Sequence, residues 1–120
     1  MSQHYILCER NGYRVRVTLG YDRRLDRYFL NVEQDGIDPD EPPFPSGQIL
    51  NEQSVFYVSL YDLEAPYDDM NYFREKLRSF GIVVPESFFL AVEEDAIECV
   101  GNYVVEHFAD GMMRVRLPKP

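Results

Sequence analysis

The chain has 120 residues, of which 45% are hydrophobic, and a formal net charge of -9. That length suits a single domain over 1–120, and the apolar share is enough for a core, which excludes a disordered chain. No apolar run approaches the roughly 18 residues of a membrane span, and a field of this sign opposes approach to nucleic acid and anionic membranes.

Along the chain, His4 to Arg10 and Tyr13 to Leu19 flank Asn11-Gly12. Asn-Gly supplies the positive φ of a tight hairpin turn, so the pair reads as two antiparallel strands. In the second, Tyr13, Val15, Val17 and Leu19 take one face and Arg14, Arg16 and Thr18 the other, as in a sheet with one wet side. Gly20 to Asp26 is a polar turn, and Arg27 to Glu33 reads as a third strand completing a meander.

Residues 34–53 hold Asp35-Gly36, Asp38-Pro39, Pro42-Pro43, Pro45 and Gly47, and read as a long acidic loop. Ser54 to Tyr61 is apolar on both faces and is expected to be a central strand or one covered on both sides.

Asp68 to Phe80 has an apolar stripe at Met70, Phe73, Leu77 and Phe80, the spacing of one helical face. Asp68 and Asp69 suit its start and Gly81 its stop. A second helix is expected from Pro85, carrying Phe88, Phe89, Val92, Ala96 and Val100, to Gly101. Asn102 to Phe108 is read as a strand rather than more helix, because Tyr103, Val104 and Val105 are β-formers. Asp110-Gly111 then turns into a last strand with Met113, Val115 and Leu117 alternating with Arg114 and Arg116. The sum is an α+β fold, an antiparallel sheet built on an N-terminal meander with two helices on one face.

Charge is unevenly placed. Residues 1–30 net +3, residues 31–70 hold ten acidic and no basic side chains, residues 71–110 net -5 and residues 111–120 net +3. Either the basic ends neutralise the acidic middle within the fold, or an acidic face exists that takes a basic partner. The candidate surface is Asp35, Asp38, Asp40, Glu41, Asp62, Glu64, Glu93, Glu94 and Glu98. A sharper version has these carboxylates mimic nucleic acid in a basic groove. Arg14, Arg16, Arg114 and Arg116 form a candidate basic stripe if their strands are neighbours, although the net field makes a nucleic-acid partner an outsider.

Site chemistry is sparse. His4, Cys8, Cys99 and His107 lack the close ligand pairs of zinc sites, and the acids of 35–41 are in the wrong order for an EF-hand, so no metal is expected. No serine sits in a nucleophile elbow, and Cys99 with His107 is a conceivable thiol–imidazole pairing across a helix–strand corner. Glu93, Glu94, Asp95 and Glu98 read as the solvated side of a helix. There is no phosphate-binding glycine loop and no cofactor is expected. With no signal peptide over Met1 to Arg10 and two cysteines read as thiols, the expected location is cytoplasmic.

The run Gly20-Tyr21-Asp22-Arg23-Arg24-Leu25, followed by Tyr28-Phe29-Leu30 and Val32, resembles a family of small uncharacterised bacterial proteins, as do Phe80-Gly81-Ile82-Val83-Val84-Pro85 and Gly101-Asn102. Arg24 stands where that pattern has proline. The resemblance implies a shared fold and no activity. The expected role is a non-enzymatic protein-interaction domain, monomeric or a small homo-oligomer. A small-ligand binder or small enzyme using the sheet face or the loop is the alternative.

Overall fold

A computed structural model describes residues 2–10, 12–35, 55–66, 68–98 and 102–117. The elements in chain order are β1 (Ser2–Arg10), β2 (Tyr13–Asp22), β3 (Arg27–Gln34), β4 (Val55–Val58), α1 (Met70–Ser79), α2 (Glu86–Glu98), β5 (Tyr103–His107) and β6 (Met113–Leu117). One 3-10 turn, Ser59–Tyr61, follows β4. The strands form one six-stranded sheet in the order β4-β3-β2-β1-β5-β6.

The fold is α+β, with the expected meander and two helices. The meander runs through β1, β2 and β3 in unbroken antiparallel register, Arg10 opposite Tyr13 and Asp22 opposite Arg27. Gly12, at φ +83°, provides the left-handed residue the first turn needs. The sheet is mixed rather than wholly antiparallel, because β5 lies parallel to β1, with His4 opposite Val105. The physical reason is the route of the chain. After β4 the chain passes through both helices and re-enters beside β1 rather than beside β4, and because β1 and β5 are not joined by a hairpin they can pair in parallel.

Strand β4 is not the central strand that was one of the two expectations for it. It ends at Val58 and stands at the end of the strand order. Its apolar face is used by Tyr57, buried against Phe80 with ring centroids 5.5 Å apart. The turn after it is held by Ser59, whose hydroxyl accepts a hydrogen bond from the Leu30 amide at 2.9 Å.

Both helices lie on one face of the sheet, where Ile6, Val17, Leu19, Leu30 and Val32 meet Phe73, Leu77, Phe88 and Val92 in a single core. Helix α1 begins at Met70, with Asp69 as its cap, accepting from the Asn71 amide at 3.0 Å. It ends as the apolar stripe predicts. Gly81 takes φ +77°, its amide reaches Arg78 O and the Ile82 amide reaches Leu77 O, each at 3.0 Å. This paired closure satisfies the last carbonyls and lets buried Ile82 pack under Leu77. Arg74 joins the helices through Glu86 at 2.6 Å and Glu93 at 2.5 Å. Among the described residues, no helix is long and apolar enough to cross a membrane.

Candidate binding face and buried polar clusters

Alternation along the meander creates two unlike faces. Toward the helices point Ser2, His4 and Ile6 of β1, Val15, Val17 and Leu19 of β2, and Leu30 and Val32 of β3. Toward the open side point Gln3, Tyr5, Leu7 and Glu9, then Arg14, Arg16 and Thr18, then Arg27, Phe29, Asn31 and Glu33. Neither helix covers this second set.

Two clefts occupy the open face. One, of about 410 Å³, has Gln3, Thr18, Phe29 and Asn31 on its floor, with Asp22, Arg27 and Leu60 toward one end. The other, of about 430 Å³, is bordered by Leu7, Glu9, Arg14 and Asp35. Arg16 and Glu33 line both, so the clefts meet and form one groove along β2 and β3. From residue 14 to residue 22 it follows a strand for roughly 27 Å at ~3.4 Å per residue. The floor is shaped at Gly20, where a Cβ would run into the Phe29 ring and the Ser2 carbonyl. The missing side chain is what lets the Phe29 ring approach the backbone of β2.

Opposite charges face each other across the strands: Glu9 and Arg14, Arg16 and Glu33, Asp22 and Arg27. Yet among the described residues Arg16 and Arg27 make no ion pair within 4.0 Å. The Arg16 guanidinium carbon instead lies 4.3 Å above the Tyr5 ring, which orients the planar head and leaves its edge N–H donors for a ligand. Cys8, the one thiol in the wall, is pushed up by burial and is a poor nucleophile.

The expected basic stripe does not form as drawn. Strands β2 and β6 are separated by β1 and β5, so Arg14 and Arg16 are not neighbours of Arg114 and Arg116. Arg116 is also spent on Glu106, at 2.5 Å, and donates to Tyr5. Tyr5 thus bridges Arg16 and Arg116, while Arg114 stands 5.7 Å from the Phe108 ring centroid.

The expected acidic surface breaks up as well. Asp38, Asp40 and Glu41 lie outside the described residues, as do Cys99, Asn11, Gly101 and the stretch 36–53 of the expected loop. Asp35 is exposed just after β3, and Glu64, Glu94 and Glu98 are exposed. Asp62 is not on the surface. It is 6% exposed and accepts hydrogen bonds from Tyr57 at 2.7 Å and Tyr72 at 2.8 Å, with Lys76 at 3.5 Å. Burial pushes its carboxyl up, but those bonds and the Lys76 charge outweigh it and hold Asp62 below the usual range. Glu93 is half-buried on Arg74.

A second polar cluster went unread. Asp95, placed with its neighbours on the wet side of α2, is 2% exposed and faces the sheet. Its carboxylate meets His4 Nε2 at 2.6 Å and accepts from the Tyr103 hydroxyl and Ser2. His4 Nδ1 contacts His107 Nε2 at 2.7 Å. His107 Nδ1 is buried with no partner. Burial raises Asp95, and the bonds from His4, Tyr103 and Ser2 reverse that and hold it low. Burial, then the adjacent His4 charge, push His107 down to about 4. The signal was present in sequence. Phe88, Val92 and Asp95 recur at helical spacing, and Tyr103, Val105 and His107 at strand spacing. No group of three ligating residues able to hold a metal occurs among the described residues.

Compared with family models, with curated proteins and with solved structures, the chain matches none.

Proposed function

We propose that the chain is a non-enzymatic binding domain that lays an extended polypeptide along the open face of its sheet. The observation that carries this is the continuity of the two clefts through Arg16 and Glu33. A groove running with the strands suits a chain, whose side chains alternate at the same period as those beneath it. Cross-strand pairs of opposite sign favour a partner of mixed charge over a polyanion. Leu7 and Leu60, 61% and 60% exposed at opposite ends, offer apolar footholds. Such a partner segment makes the chain the protein-interaction module that its composition suggests.

The test is a display selection of random 12-residue peptides on the immobilised protein. Enriched peptides are expected to lose at least tenfold in affinity against Arg16→Glu and against Thr18→Trp, which fills the floor. Peptides that bind both variants as well as the parent protein would sink the groove reading.

A second reading has its own support. Arg16 and Arg27 both line the 410 Å³ cleft, with the amides of Gln3 and Asn31 and the Phe29 ring. This set suits a small planar anion, held by guanidinium forks over an aromatic floor. Amide shifts confined to this cleft on adding small carboxylates or phosphates, with no peptide selected, would favour it.

A further inference from the structure

The His4 cluster lies directly behind the groove, on the other side of one strand. His4 sits between Gln3, which lines the groove, and Tyr5, which carries Arg16. We propose that β1 holds a proton-operated latch on its buried face that sets the grip of the groove on its open face. Proton uptake at His107 releases β5 and α2 from His4 and, through Gln3 and Tyr5, slackens the groove. The binding half of this proposal rests on the polypeptide reading; the latch half does not.

The geometry is that of a three-element clasp. His4 comes from β1, Asp95 from α2 and His107 from β5. Its ionisable neighbours are few. From β1 only His4 faces His107, and from α2 come Asp95 and the uncharged Phe88 ring, whose centroid is 5.1 Å away. From β5 itself Tyr103 joins through Asp95, and Met113 is the β6 residue opposite. Glu94 and Glu98 act on Tyr103 from the exposed side of α2. Among the described residues the carboxylate that acts on His107 is Asp95, which already accepts from His4, Tyr103 and Ser2.

Proton bookkeeping explains why the clasp is closed at neutral pH and loosens in acid. Asp95 is ionised and accepts from His4 Nε2. One proton lies between His4 Nδ1 and His107 Nε2, and His107 is neutral. A further proton has to go to His107. A neutral imidazole carries one N–H, so the added proton leaves both His107 nitrogens donating, and Nδ1 then has nothing to accept from it on a charged, buried ring. An opened β5 lets His107 take the proton in water instead. With His107 at about 4 when closed and 6.5 when open, the opening equilibrium rises about 30-fold from pH 7.5 to pH 5.

Native-state hydrogen exchange tests this on the ligand-free protein. After correction for intrinsic exchange, the opening constants at the Val104 to Glu106 amides are expected to rise about 30-fold over that range. Gln3 and Tyr5 are expected to follow with the same pH dependence. In His107→Gln, which keeps an acceptor opposite His4, the rise should vanish. If His107→Gln does not fold, the His107 ring carbon shifts of the parent protein read the same step, and a midpoint near 6.5 in the folded state overturns the latch. A flat profile at β5 overturns it as well. A rise at β5 with Gln3 and Tyr5 unmoved overturns the coupling to the groove. Peptides selected at pH 7.5 are then measured at pH 5, where several-fold weaker binding is expected in the parent protein and none in His107→Gln. Failure to select any peptide counts against the groove reading alone, since the exchange arms need no ligand.

Discussion

Two buried carboxylates in this protein have nearly the same surroundings and different counter-ions. Asp62 accepts from two tyrosine hydroxyls beside Lys76, and Asp95 accepts from Tyr103 and Ser2 beside His4. The first ties β4 to the helix that follows it, α1, and the second ties β1, α2 and β5 from opposite ends of the chain. The Lys76 ammonium stands beside the first carboxylate purely as a donor, so that cluster acts as a fixed rivet. The second includes an imidazole, His107, that burial pushes down to about 4, so proton uptake there in acid favours an open cluster and the same acceptor becomes part of a device that can let go. The counter-ion, more than burial or the number of hydrogen bonds, separates structure from switch.

The sharpest way to break the comparison is one substitution made at both sites. Asp95→Ala leaves His4, Tyr103 and Ser2 without their shared acceptor in a closed space, and should cost about 3–5 kcal/mol. Asp62→Ala should cost less, about 2–3 kcal/mol. Lys76 is 16% exposed at its side chain and can turn to water, which the His4 ring, at 1%, cannot. Urea midpoints at pH 7.5 with unchanged slopes decide the order. Equal costs would mean that the counter-ion does not matter.

Next in size is the pH dependence. His107 lies low when folded, at about 4 against 6.5 unfolded, so the unfolded chain binds more protons between those values. Its contribution is fully present above pH 6.5 and is lost as pH falls toward 4, about 3 kcal/mol in all. Asp62 and Asp95, both held low, add their losses only below the ordinary carboxylate range. Stability of Asp62→Ala should therefore fall between pH 6.5 and 4 as steeply as in the parent protein, while His107→Gln should be nearly flat there. A parallel slope in His107→Gln would place the proton uptake elsewhere.

What the sequence disclosed follows from which signals are local. The hairpin register around Gly12, the alternation of β2 and the stripe of α1 with Gly81 behind it each lie within a dozen residues, and each appears where expected. The parallel pairing of β5 with β1 has no local signature, since it depends on where a crossover of two helices returns. The same limit hid the His4 cluster, whose members are 91 and 103 residues apart along the chain. Asp95 was misplaced because it sits in the acidic run Glu93-Glu94-Asp95, where composition masked its position in line with Phe88 and Val92. Asp62 reads as surface charge because its two tyrosines, though within ten residues, converge on it only through the turn between β4 and α1, which no pattern marks. The groove was half legible: the outward row of β2 was read, but its neighbours across the sheet were not.

The smallest effect on stability is also the one that separates the two faces. Arg16 is exposed, makes no ion pair among the described residues and stacks on Tyr5. Arg16→Glu removes that contact and places two acids opposite each other at Glu33, so a loss of about 0.5–1 kcal/mol is expected. Peptide binding at pH 7.5 should nonetheless fall by tenfold or more, because Arg16 lines both halves of the groove. Glu33→Arg tests whether the order of charges matters. Alone it should weaken binding of the same peptides. Combined with Arg16→Glu it restores a cross-strand pair with reversed polarity. Stability should then return to near the parent value, and the original peptides should stay weak, since each now faces the wrong sign at both positions. If the double variant recovered affinity along with stability, the pair would be mere sheet support, and recognition would have to lie outside the groove.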